Sequence, residues 1–163
     1  MHGDGRLGAG RERGRGLIEL QRHRAPIRFV LIFVALSMGL VAAYILIAPR
    51  GFYDDFPAGS SAWVSALPPF NEHLIRDFGS AGLGLGVLAA LAAWWMDRRL
   101  VQAAAIALFV GSAPHTIYHF TTTEAYSTSD NVASLGGLVL QTLLPLAVLY
   151  LASGRSQRPT KEA

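Results

Sequence analysis

Four long apolar stretches, each free of Asp, Glu, Lys and Arg, divide the chain. They cover residues 29–48, 78–96, 100–120 and 132–151. Each has about the 20 residues that a helix needs to cross the hydrocarbon core of a bilayer. Because lipid cannot satisfy backbone polar groups, such stretches cross as helices. The pattern therefore predicts an all-α protein, a four-helix transmembrane bundle over residues 29–152.

Composition agrees with the membrane class and excludes several kinds of chemistry. Of 163 residues, 52% are hydrophobic and only 15% are charged. Cys is absent, which rules out disulfides, thiolate metal sites and a cysteine nucleophile. No Walker motif or nucleophile elbow appears, and the "GLGLG" run lies inside an apolar stretch. Its Gly82 and Gly86, four residues apart, predict close helix packing within one chain or with a second copy.

Basic residues predict the orientation of the bundle. Those that would share one side are Arg6, Arg11, Arg13, Arg15, Arg22, Arg24, Arg28, Arg98, Arg99, Arg155, Arg158 and Lys161. The two remaining loops hold only Arg50 and Arg76 as basic residues, set among acidic ones. Because cytoplasmic loops retain Arg and Lys, both termini are expected to be cytoplasmic, in a bacterial cytoplasmic membrane.

The two ends of the chain are expected to be tails. Residues 1–28 are rich in Gly and Arg, which favours a disordered basic cytoplasmic tail that contacts anionic lipids. We expect no nucleic acid partner for it. The apolar run that follows is too long for a cleaved signal peptide, so a retained signal anchor is favoured. Residues 153–163 are expected to be a second cytoplasmic tail.

A long extracytoplasmic loop is predicted between the first two spans. Its sequence "GFYDDFPAGSSAWVSALPPF" starts at Gly51 and mixes aromatic residues with Gly and Pro. Aromatic residues favour the membrane–water interface, so we expect the loop to lie over the bundle as a cap. The segment "SSAWVSAL", Ser60–Leu67, is expected to form a short interfacial helix. Loops of this length are often functional.

The sequence "NEHLIRDFG", which starts at Asn71, predicts the start of a helix. Asn71 is a good N-cap residue, so the helix should begin at Glu72. Residues four apart share a helix face. Glu72 and Arg76 should therefore form an ordinary ion pair, while His73 and Asp77 form a second polar pair.

The sequence "PHTIYHF", which starts at Pro114, carries a comparable pair, His115 and His119. The second span runs inward and the third outward, so both pairs are expected at the same membrane surface. There His73, Asp77, His115 and His119 can converge. Three imidazoles and a carboxylate suit a divalent metal such as zinc, copper or iron. The sequence therefore predicts an outward-facing metal site in a binding, sensing or accessory module.

Other interpretations of the histidines stay open. His115 lies one turn deeper than His119 and is expected to face the bundle interior, whereas headgroup contact suffices to explain His119. The cluster also suits a protonatable site without metal, a structural hydrogen-bond network, or two axial haem ligands. Alternatively, the protein is a membrane enzyme that acts on a lipid-like substrate with His115 or His119 as general base. It can also be a structural subunit of a larger complex or a homodimer. No catalytic residue is assigned.

The aromatic loop, the "NEHLIRDFG" segment and the later "PHTIYH" together resemble small four-span bacterial membrane proteins of unknown function. The general layout of those proteins is similar to that of DoxX-like proteins. The resemblance covers about residues 29–152 and implies a four-helix membrane bundle. It implies no established activity. Four-helix isomerases of the emopamil-binding type are similar in architecture alone, since they also place His and acidic groups in a bundle mouth.

Overall fold

A computed structural model describes residues 21–57, 62–67 and 69–153 of the chain. The helices in this part are α1 (Arg24–Ile47), α2 (Pro49–Asp55), α3 (Glu72–Trp95), α4 (Arg98–Thr121) and α5 (Thr128–Ser153). No strand occurs among the described residues. Helices α1, α3, α4 and α5 are each long and apolar enough to cross a membrane. The all-α class and the four candidate spans are therefore confirmed.

The first span begins earlier than the apolar pattern indicates. Helix α1 starts at Arg24 rather than at Phe29, and Ile27 is completely buried in the core. Since Ile27 packs inside the bundle, residues 24–28 belong to the span and not to a disordered tail. Residues 21–23, also part of the expected tail, have helical or turn structure, and Ser153 is the last residue of α5. Residues 1–20 and 154–163, on which the rest of the tail predictions falls, lie outside the described residues.

A short helix follows α1 at a position that the sequence analysis missed. Ala48 is non-helical, as expected for the residue before a proline. Pro49 then starts α2, because a proline fits the first turn of a helix. The expected helix at "SSAWVSAL" is wrong for the described residues 62–67, which form turns. The short helix between the first two spans thus lies earlier in the chain than predicted.

Side-chain caps fix the starts of α3 and α4. The Asn71 side chain accepts a hydrogen bond from the Leu74 backbone N–H at 3.1 Å, which confirms the predicted start at Glu72. Asp97 caps α4 in the same way, through the Leu100 N–H at 3.0 Å. Each cap satisfies a backbone donor that has no partner within the helix.

The four long helices form two antiparallel hairpins. Helix α1 packs mainly on α3 (the first hairpin) and α4 mainly on α5 (the second hairpin). Small residues allow the close approach of α1 and α3: Gly86 is buried, and a Cβ there would lie 3.4 Å from the Ala35 carbonyl oxygen. This contact places the predicted Gly82/Gly86 packing surface within one chain.

The hairpins share a core at one end of the bundle, which we call the arginine end because Arg28 and Arg98 lie there. All four long helices contribute to it. Its buried residues are Ile27, Leu31, Ala92, Ala93, Met96, Val101, Ala104, Ala105, Val148 and Ala152. The opposite end, which holds the starts of α3 and α5, is called the histidine end. Only 17% to 33% of the most apolar window of each helix is buried within the protein, so most of each helix faces its surroundings.

Three arginine side chains form hydrogen bonds between paired helices at the ends of the bundle. Arg28 donates to the Ala93 and Trp94 carbonyls at 3.0 and 3.5 Å. Arg98 donates to Ala152 and Ser153, both at 3.1 Å. At the histidine end, Arg76 donates to the Leu46 carbonyl at 2.8 Å. In each case the acceptors lie at the C-terminus of a neighbouring helix, where carbonyls lack helical partners and a positive charge is favoured.

The contact between α1 and α3 generates a prediction at Gly79. A Cβ added there would overlap the side chain of Ile45, which is β-branched and stiff at χ1. We expect Gly79→Ala to destabilise the protein by about 1–3 kcal/mol, as overpacking typically does. The measurement is the midpoint of thermal unfolding in detergent.

The matched control is Gly84→Ala in the same helix, because a Cβ at Gly84 meets nothing within 4 Å. Alanine has the higher helix propensity, so this control should be neutral or slightly stabilising. Equal midpoints for the two variants would contradict the packing described for α1 and α3.

Candidate functional site

The buried residues of α4 form one stripe along the helix. The position of each histidine relative to this stripe determines whether its side chain is buried. The stripe consists of Val101, Ala104, Ala105, Leu108, Ser112, Thr116 and His119. Their three- and four-residue spacing is that of one helix face. His119 lies on this face and is 9% exposed, whereas His115 lies at its edge and is exposed. By accessible surface, His119 and not the deeper His115 lies on the packed face of α4, because the phase of the helix decides which side chain faces α5.

The imidazole rings belong to a cluster of aromatic rings, which we call the histidine cluster. It consists of Phe78, His115, Tyr118, His119 and Tyr126. The centres of the two imidazoles are 4.8 Å apart in an edge-to-face arrangement. Phe78 lies 6.0 Å from His115, while Tyr118 and Tyr126 lie 5.7 and 6.0 Å from His119. His119 is thus enclosed by rings, and His115 has one side open.

A set of contacts called the loop bridge joins the first loop to the second hairpin beside this cluster. It consists of Trp63, Tyr126 and Asp130. The Trp63 indole N–H donates to an Asp130 carboxylate oxygen at 2.9 Å, and the Tyr126 hydroxyl donates to the Trp63 carbonyl at 2.8 Å. Burial, reinforced by Tyr118, raises the pKa of the Tyr126 phenol. The phenol therefore keeps its proton at neutral pH and remains a donor.

Aromatic contacts connect the loop bridge to helix α2. The backbone N–H of Trp63 donates to the Phe56 carbonyl at 2.7 Å. The two rings meet edge to face, with their centres 6.2 Å apart. Phe56 in turn packs on the buried Phe52, with ring centres 4.8 Å apart. Helix α2 therefore supports the position of Trp63.

Below the histidines, α4 and α5 are joined by hydroxyl groups. The Thr116 and Thr142 hydroxyls share a hydrogen bond of 2.8 Å, and the Thr116 hydroxyl is also within hydrogen-bond distance of the Leu138 carbonyl, at 3.3 Å. Such interhelical bonds stabilise membrane helix pairs modestly, by about 0.6 kcal/mol on average. This contact, which the sequence analysis missed, holds the helix face that carries His119 against α5.

The four predicted metal ligands occur as two separate pairs. His73 and Asp77 are 3.4 Å apart, and their side chains are 87% and 62% exposed. From α3, the ring of Phe78 packs against His115. Because successive helix residues point about 100° apart, Asp77 is directed elsewhere. Among the residues that the structure describes, no group of three or more His, Asp or Glu side chains is arranged to hold a metal ion. Metal binding by all four residues stays a prediction that this arrangement does not support.

The other polar pair of α3 has a structural explanation. Glu72 and Arg76 form an ion pair at 2.8 Å, as their spacing indicates. Arg76 also reaches the Leu46 carbonyl, so this pair helps to hold the start of α3 against the end of α1.

An apolar groove of about 600 Å³ lies at the arginine end, away from the histidines. Its lining residues are Arg28, Ile32, Ala35, Leu36, Ala90, Ala93 and Trp94. Among the described residues, no histidine lines this groove.

Comparison with known proteins adds no functional assignment. No protein-family model, curated protein or solved structure matches the chain. The DoxX-like layout therefore stays a prediction.

The loop bridge generates a prediction about access to His119. Trp63→Phe keeps an aromatic ring but removes the N–H that donates to Asp130. Hydrogen bonds to charged groups contribute about 1.5–3 kcal/mol, so we expect a lower unfolding midpoint and faster modification of His119 by diethyl pyrocarbonate. Peptide mass spectrometry measures the modification at each histidine.

The control is Trp94→Phe, because the Trp94 side chain is largely exposed at the opposite end of the bundle. It should leave the modification rate of His119 unchanged, and in every variant the exposed His115 should react faster than His119. A His119 that reacts equally fast in wild type and Trp63→Phe would show that the loop bridge does not shield it.

Proposed function

We propose that this multi-pass membrane protein is a metal-binding or sensing module at its histidine end. The ligands are His115 and His119, and the ion is a divalent transition metal such as zinc, copper or iron. The observation that carries the proposal is the 4.8 Å separation of the two imidazoles on one turn of α4. The proposal needs only two protein ligands, in contrast to the four-residue site expected from the sequence.

The spacing of the imidazoles suits one shared ion. Two imidazoles that bind one ion through nitrogens at about 2.1 Å have ring centres roughly 5 Å apart. Zinc, copper and ferrous iron all accept imidazole. Neither imidazole forms a hydrogen bond with any of the described residues, so their nitrogens have no competing partner there. The remaining coordination positions then fall to water or to an external ligand.

The different surroundings of the two histidines give each a role. His119 is the fixed ligand, because Tyr118 and Tyr126 pack against its ring. His115 is the accessible ligand, because it is exposed. An external ligand therefore approaches the ion from the side of His115. This arrangement favours binding or sensing, since a purely structural metal site would be closed by protein ligands.

The metal proposal predicts that His115→Ala with His119→Ala abolishes metal retention. Loss of a residue that only orients a metal ligand costs about 10–100-fold in affinity, and loss of a ligand costs at least as much. The full chain, prepared without a histidine tag, is loaded with zinc, copper or ferrous iron in detergent. Elemental analysis after dialysis then compares the variant with wild type.

The matched control is His73→Ala, which removes an imidazole from the exposed pair at the same end. It should retain as much metal as wild type. Equal metal content in wild type and the double variant would refute the proposal. Loss of metal in His73→Ala as well would instead support the four-residue site.

We further propose that both termini are cytoplasmic and that the histidine end faces outward from a bacterial cytoplasmic membrane. The charge bias of the sequence supports this orientation. Of the two basic residues at the start of α4, Arg99 is exposed. The loop between α4 and α5 carries an exposed acidic residue, Glu124.

Single cysteines test the orientation directly, because the chain has no native Cys. We expect a membrane-impermeant maleimide to label Glu124→Cys in intact cells, and Arg99→Cys only after the membrane is opened. Both positions are exposed, so accessibility within the protein is matched. Labelling of Arg99→Cys from outside would invert the orientation.

A further inference from the structure

The groove at the arginine end has the chemical character of a lipid site. It lies between α1 and α3, and among the described residues Arg28 is the single charged one that lines it. The other lining residues present aliphatic side chains and the indole of Trp94, which is 79% exposed. An apolar channel with one positive charge matches a molecule with an apolar chain and an anionic head.

The guanidinium of Arg28 retains donors for such a head. An arginine has five N–H groups, of which two donate to the Ala93 and Trp94 carbonyls, leaving three. No carboxylate among the described residues forms an ion pair with Arg28. The two carbonyl contacts also hold the side chain at the groove. Guanidinium groups bind phosphate through paired, charge-assisted hydrogen bonds.

The level of the groove in the membrane agrees with this ligand. Arg28 lies immediately before the apolar run that starts at Phe29, and Trp94 lies near the end of α3. Tryptophan favours the level of the headgroups, and arginine at a helix end reaches the same level. A phosphate held by Arg28 therefore sits at the headgroup layer while an acyl chain extends along Ile32 and Leu36 toward the bilayer centre.

We propose that this groove is a specific site for one anionic phospholipid, with its phosphate on Arg28 and an acyl chain between α1 and α3. The site is independent of the histidine cluster and of any metal. Basic pockets between membrane helices bind anionic headgroups by the same chemistry.

Native mass spectrometry of the full chain in mild detergent tests the proposal. Phosphatidylglycerol and phosphatidylcholine with identical acyl chains are titrated separately. We expect wild type to retain phosphatidylglycerol in preference to phosphatidylcholine. Arg28→Gln should weaken the binding of phosphatidylglycerol about tenfold, as expected for a lost charge-assisted bond. Arg99→Gln, which removes an exposed charge at the same end without touching the groove, should bind like wild type.

A second variant tests the acyl chain and covers the case in which Arg28→Gln does not fold. Ala90 lines the groove at an exposed position, so Ala90→Phe fills the groove without disturbing the core. It should reduce binding of phosphatidylglycerol several-fold while Arg28 is intact. Equal binding of the two lipids by wild type, an equal loss in Arg99→Gln, or unchanged binding in Ala90→Phe would each overturn the proposal.

Discussion

The last carbonyls of a helix have no partner within it and must accept hydrogen bonds from groups outside it. This constraint organises the bundle. Arg28, Arg76 and Arg98 each extend to the C-terminal carbonyls of a neighbouring helix. Such contacts form only between antiparallel neighbours whose ends are level, so they fix which helices pair and at what register. The small residues of α1 and α3 then permit the close approach that the register requires.

The same constraint changes how the basic residues are interpreted. Arg28 and Arg98 both entered the orientation argument as charges that the cytoplasmic side retains. In the structure each has a tertiary role in capping a helix, which would place an arginine there in either orientation. Arg99, which is exposed at the start of α4, is therefore a better indicator of orientation.

The sequence predicted the features that depend on local physics. Apolar length identified the four long helices, and the capping preference of Asn71 identified the start of α3. Helix α2 was missed because the long loop was treated as one segment, although Pro49 is a typical first helical residue. The start of α1 was predicted too late because the span was taken to begin after the last charged residue, Arg28. Charged residues such as Arg24 and Arg28 do not prevent helical hydrogen bonding, so the helix begins before the apolar run.

The candidate site was only partly predictable, because spacing shows which residues share a face but not which way that face points. His115 and His119 were correctly paired by their spacing, yet their burial depends on the phase of α4 against α5. Phe78 was overlooked because it lacks a titratable group, although its ring packs against His115 from α3. Tyr126 and Trp63 come from loops, where no periodicity indicates proximity.

The loop bridge has a consequence for how the protein is made. Trp63 and Asp130 are 67 positions apart, with α3 and α4 between them. Because folding during synthesis proceeds from the N-terminal part, Trp63 emerges from the ribosome well before its acceptor. His119 therefore lacks its completed surroundings until translation reaches the beginning of α5. Completion of these surroundings therefore follows synthesis of the start of α5, although both histidines are made earlier, on α4.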